Sequence, residues 1–103
     1  MRKLNEEDRE TVYRESIEHY GVPAQVDMAI EEMSELTKAL LKFRRFGWSE
    51  NAADYLEDVI EEIADVKIML RQLEMIYDCE FGVGQWIDRK VIRQIERLDG
   101  KRR

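Results

Sequence analysis

Proline and cysteine each occur once in this 103-residue chain, and glycine five times. So few breakers favour long helices over sheet. A single cysteine, Cys79, excludes an internal disulfide and fits a reducing compartment. No apolar run approaches the roughly 20 residues of a membrane-spanning helix. The start Met1-Arg-Lys-Leu-Asn-Glu-Glu-Asp lacks the apolar stretch of a signal peptide. Basic residues are outnumbered, 17 Lys and Arg against 23 Asp and Glu, and the formal charge of −6 argues against stable nucleic-acid binding. P-loop, EF-hand and dinucleotide fingerprints are missing. His19 has no ligand-spaced partner, which disfavours a carboxylate–histidine di-iron bundle. These absences lead us to expect one all-α domain over residues 1–103, soluble, cytoplasmic and off the membrane.

Four helical segments can be read. The first runs from about Glu6 to Tyr20, with Asn5 and Asp8 in an N-cap arrangement, Gly21 as its stop, and Val12, Tyr13, Ser16, Ile17 and Tyr20 inward. The second starts near Pro23 and reaches about Phe46, with Gly47 after it and an apolar stripe centred near Met33 and Leu40. The third follows Asn51, which with Asp54 has the spacing of a capping box. Its stripe is Leu56, Val59, Ile60, Ile63, Val66, Leu70, Leu73 and Tyr77. Its second half is apolar on several sides, which in so small a domain predicts a subunit interface. The fourth is expected after Gly82-Val-Gly84, up to Asp99-Gly100, with Val83, Ile87, Val91, Ile95 and Leu98 inward and residues 98–103 as a frayed tail. The expected architecture is a four-helix bundle completed by oligomerisation, since a chain this short buries only a modest core.

What the chain does have is a repeat. Asp27-Met-Ala-Ile-Glu-Glu-Met-Ser-Glu-Leu36 aligns without gaps on Glu57-Asp-Val-Ile-Glu-Glu-Ile-Ala-Asp-Val66. At about 100° per residue, Glu32 and Glu35 lie roughly 60° apart on their helix, and Glu62 and Asp65 have the same spacing. If the two helices face each other, four carboxylates meet. Two like charges about 5 Å apart repel by roughly 3 kcal/mol at an effective dielectric near 20. Such a cluster must take up protons, recruit Lys or Arg, or bind cations. Carboxylate oxygens are hard ligands suited to Mg²⁺ or, in its place, Mn²⁺. Glu31 and Glu61 fall on the other side of the wheel and Asp58 lies near Asp65. Lys38 and Lys42 are expected on the outer side with Glu31. Solvated acidic faces are common on helices, and the case for chemistry rests on the matched pair.

The acidic motifs resemble those of MazG-like nucleoside triphosphate pyrophosphohydrolases, whose signature is EExxE, a gap, then ExxD. Here it reads Glu31-Glu32-Met-Ser-Glu35 and Glu62-Ile-Ala-Asp65. The family often carries a later basic helix of the form KxxKNxxR. This chain has Lys90-Val-Ile-Arg93-Gln94-Ile-Glu-Arg97, with Gln94 in place of Asn. Gln25 also resembles a recurrent family position. The resemblance spans roughly Gln25 to Arg97. It implies a helical bundle, a homodimer or homotetramer, and Mg²⁺-dependent hydrolysis of a (deoxy)nucleoside triphosphate to monophosphate and pyrophosphate, in nucleotide-pool housecleaning. It further implies Glu32, Glu35, Glu62 and Asp65 as metal ligands. Glu32 or Glu35 would act as the base, and Lys90, Arg93, Arg97 and Gln25 would contact substrate.

Trp48, between the acidic helices, is a candidate for stacking on the nucleobase, although such a residue can equally pack on a helix start. The competing readings are a non-catalytic oligomeric adaptor with solvated acids and a nucleotide-binding sensor.

Overall fold

The structure is a computed structural model that describes residues 1–102. It comprises four helices: α1 (Glu6–Tyr20), α2 (Val22–Phe46), α3 (Ala52–Tyr77) and α4 (Glu80–Arg102). No strand occurs among the described residues. No helix among them is long and apolar enough to cross a membrane.

Local chemistry sets the first boundaries. Asn5 Oδ1 accepts from the Asp8 amide at 2.7 Å while Asp8 Oδ2 accepts from the Asn5 amide at 3.2 Å, a complete capping box. Gly21 alone turns the chain from α1 into α2 at φ 90°, a conformation that favours glycine, and Pro23 sits in the first turn of α2. At Gly47 a Cβ would lie 2.5 Å from the Phe43 carbonyl oxygen, so only glycine fits that helix end.

Asn51 does not cap α3 with its side chain. Its backbone (φ −95°, ψ 13°) has already left the extended region from which a capping side chain reaches forward. The first amides are met by backbone instead, with Asp54 and Tyr55 both donating to the Asn51 carbonyl. Nor does a loop run to Gly84. Asp78, left-handed at φ 49°, ends α3, and Cys79 donates to the Glu74 carbonyl at 3.1 Å, so α4 starts at Glu80 with Gly82 and Gly84 inside it. The expected frayed tail is helical through Arg102, and Arg103 lies outside the described residues.

α2 and α3 run antiparallel. Gln25, near the start of α2, donates through Nε2 to Oε1 of Gln72, near the end of α3, at 2.7 Å. At the other end Phe46 stacks on Tyr55 with ring centroids 5.5 Å apart. Between these markers Ala29 and Ala39 are buried against a seam that holds Val59, Val66 and Met69. The stripes read in the sequence are met in part, since Val59 and Val66 of the α3 stripe are buried. Ile30, Met33 and Leu40 on α2, and Leu56, Ile60, Ile63 and Leu70 on α3, remain exposed. The packed face lies about a quarter turn from them on each helix. Its small alanines let the two axes approach closely, which the larger side chains would not.

α1 packs on α3 through a charged centre. Arg71 donates from Nε to both Glu10 carboxylate oxygens at 3.0 Å and from Nη1 to Glu74 at 3.2 Å, with Glu80 at 3.4 Å. The Arg71 guanidinium holds the Glu10 carboxyl below the usual carboxylate range. α1, α3 and the head of α4 thus meet on one cation. Along the rest of its length α4 approaches no other helix. Ile87, Val91, Ile95 and Leu98, expected to face inward, are exposed.

The buried amide pair makes a testable claim about the seam. Gln72→Leu should cost about 1–3 kcal/mol, because Gln25 loses its partner in a buried position. Gln25→Leu/Gln72→Leu should recover part of that loss in urea denaturation.

Candidate metal centre

The register of the α2–α3 seam explains why the repeat matters. Glu32 lies seven residues beyond Gln25 and Asp65 seven before Gln72, so hydrogen bonding of the two glutamines sets both acids at one level. By the same count Glu35 and Glu62 share the next level. Antiparallel helices carrying ExxE and ExxD therefore bring their acids together near mid-length.

Three of the four acids converge. Glu32, Glu62 and Asp65 each offer a carboxylate oxygen, and these lie within 4.8 Å of one another. All three side chains are partly buried. Glu62 Oε2 is buried with no hydrogen-bond partner. Burial pushes the Glu32 carboxyl above its usual range, and the charges of Asp65 and Glu62 push it further. Burial likewise raises Glu62, reinforced by Asp65 and Glu35. Partly buried, like-charged carboxylates with one orphaned acceptor have the donor chemistry of a site for a hard divalent cation.

Glu35 stands apart from the triad. It is paired with Lys38 Nζ at 3.4 Å, and its charge still reaches Glu62. Its side chain is 44% exposed. Lys38, expected to point outward with Glu31, is exposed, and its Nζ pairs with Glu35 alone among these acids. Glu31, Glu61 and Asp58 are exposed.

The residues expected to bind substrate are dispersed. Gln25 is buried in the seam and committed to Gln72, because the helix axes close over it, so it is no free ligand for a nucleotide. Trp48 is 84% exposed in the α2–α3 turn, its Nε1 donating to the Arg45 carbonyl at 2.8 Å. It begins about 16 Å along α2 from Glu35 at 1.5 Å per residue. Lys90, Arg93 and Arg97 sit on α4, which diverges from α2 and α3, so nothing within one chain brings them to the acids. Lys90 Nζ lies 6.0 Å from the Trp86 ring centroid instead. Sequence reasoning missed Gln72 and Arg71. Arg71 had a signal, as a lone cation inside the apolar stretch from Ile68 to Ile76.

No family model, curated protein or solved structure matches the chain.

The raised carboxyls give a pH test with a definite sign. A carboxyl raised by folding keeps its proton where the unfolded chain has lost it, so its share of stability is full in acid and is lost as pH rises through the folded value. Glu62→Gln should therefore melt higher than the parent protein at pH 7–8 without divalent ions, and the gap should close as pH falls towards 5. Adding Mg²⁺ should raise the parent's midpoint and leave that of Glu62→Gln unmoved, as read by a thermal melt.

Proposed function

We propose that this protein is a Mg²⁺-dependent pyrophosphohydrolase that splits a (deoxy)nucleoside triphosphate into monophosphate and pyrophosphate. The reading is carried by one observation, the meeting of Glu32, Glu62 and Asp65 in a half-buried seam that leaves Glu62 Oε2 without a partner. The motif resemblance to MazG-like enzymes supplies the reaction. On this reading Glu32, Glu62 and Asp65 hold Mg²⁺, with Mn²⁺ able to replace it. When bound, the ion supplies positive charge to the phosphate oxygens and acidity to a water molecule.

The chain's own residues do the rest. Glu35, outside the triad and at its edge, is the carboxylate free to accept the proton released by the attacking water. Water adds across the α–β anhydride, the bridging P–O bond breaks, and pyrophosphate departs with the bridging oxygen. Lys38 beside Glu35 meets the negative charge of the substrate at the rim. Trp48 offers an exposed ring in the turn, at a distance where a nucleotide's base would have to extend along α2 to stack on it. We place the protein in the cytoplasm, in nucleotide-pool housecleaning, working as a homodimer or homotetramer. The thin core of the single chain, in which no large side chain is fully buried among the described residues, supports the assembly.

The purified protein, screened against canonical triphosphates with Mg²⁺, should release monophosphate and pyrophosphate in equal amounts. Orthophosphate alone, or no turnover, would sink the proposal, and Mg²⁺-dependent binding without hydrolysis would mark a sensor. Glu35→Gln should lower kcat by about 10²–10⁴-fold while leaving Mg²⁺ stabilisation intact. Asp65→Asn should remove both, with helicity retained by circular dichroism. An active Asp65→Asn protein would refute the site.

A further inference from the structure

The single chain exposes far more surface than its size warrants. It presents 8764 Å² to solvent. A compact protein of 12.4 kDa exposes about 6,100 Å², leaving an excess of roughly 2,600 Å². The radius of gyration, 17.4 Å, compares with about 13 Å for a compact domain of this length. Stable interfaces of standard size take about 800 Å² from each partner, and obligate ones more. The excess is therefore of the size that an obligate assembly covers.

Its location is specific. One part is the row of Ile87, Val91, Ile95 and Leu98 along α4, which recurs every three or four residues and faces no element of its own chain. The other lies on the α2–α3 pair. Met33 and Leu40 are about a quarter turn from the buried face of α2, and Ile63 and Leu70 stand in the same relation on α3. In an antiparallel pair, equal offsets of the same hand bring both rows to one side of the seam. Together they form a two-helix apolar trough, and α4 is a one-helix apolar ridge. Glu35 and Asp65 lie round from the packed face in the sense opposite to the trough rows, so a helix in the trough leaves the acidic side open. The charges also suit exchange between copies: α4 is net basic in a chain of formal charge −6.

We propose that two copies of this chain exchange arms, the α4 ridge of each lying in the α2–α3 trough of the other. This builds on the homo-oligomer proposed above by naming the two surfaces that meet. The arm is held out at its base. Asp78 turns the chain away at the end of α3, and Arg71 pairs with Glu80 at 3.4 Å beside the root of α4. Two unlike surfaces meet twice in such a dimer, and both contacts are related by its twofold axis.

The test requires no enzymatic activity. The parent protein should sediment as a dimer, or a multiple of one, at micromolar concentration. Val91→Asp/Ile95→Asp on the ridge should weaken the dimer at least about 100-fold, since each contact would bury unpaired carboxylates. Met33→Lys/Ile63→Lys in the trough should do the same. Both pairs of positions are exposed in the single chain, so helicity by circular dichroism should persist. Mixed together, the two variants should form heterodimers by native mass spectrometry. One contact then unites two unaltered surfaces and the other sets Asp against Lys. A parent protein that sediments as a monomer overturns both the assembly and the exchange. Ridge variants that remain dimeric, or variants that separate alone and fail to pair when mixed, overturn the exchange and leave the assembly standing.

Discussion

Closing two helices over shared carboxylates is the constraint on which this structure turns. Seams between helices normally hold apolar side chains, and this one does so at Ala29, Ala39, Val59, Val66 and Met69. At mid-length it holds Glu32, Glu62 and Asp65 instead. Burial raises the Glu32 and Glu62 carboxyls and their mutual repulsion adds to it, so the seam works against itself at neutral pH. On the proposed reading, a divalent cation would turn the same oxygens from a liability into ligands. The Gln25–Gln72 hydrogen bond and the Phe46–Tyr55 stack clamp the two ends, and the conflict is confined to the middle.

The division of apolar surface follows from this arrangement. Each long helix has a seam row, with Ala29 and Ala39 on α2 and Val59, Val66 and Met69 on α3, and an outer row of larger aliphatics. The first lets the axes approach closely enough for carboxylates on both helices to converge. The second is left outside, where it gives the chain an excess of surface. Arg71 binds the remaining parts by charge, joining Glu10 of α1, Glu74 of α3 and Glu80 of α4 where little apolar contact is available.

Much of this was legible in the sequence, for identifiable reasons. The ends of α1 and α2 depend on short-range chemistry at Asn5, Asp8, Gly21, Pro23 and Gly47, and reading those residues was enough. The α3–α4 joint was misplaced because glycine is the usual mark of a turn. Here Asp78 adopts the left-handed conformation, while Gly82 and Gly84 are helical. On α3 the stripe contains the buried Val59 and Val66, whereas the larger aliphatics of both long helices lie about a quarter turn from the packed face. Hydrophobicity marks the side chains that need covering, and it does not say which neighbour covers them. The acids were legible because they repeat. Glu35 stands outside the triad and pairs with Lys38, and the partner of Gln25 lies forty-seven positions away, where periodicity cannot reach.

The single left-handed residue before α4 has a mechanical consequence. A helix of 23 residues is a rod about 35 Å long, pivoting on Asp78 and steadied at its root by Arg71. A swing of about 10° at that pivot would carry the far tip by roughly 6 Å, more than one helical turn. Small torsional changes at one aspartate are thus geared up into large displacements at the other end. The bearing of the whole rod is governed from a place that is itself remote from most of what the rod touches.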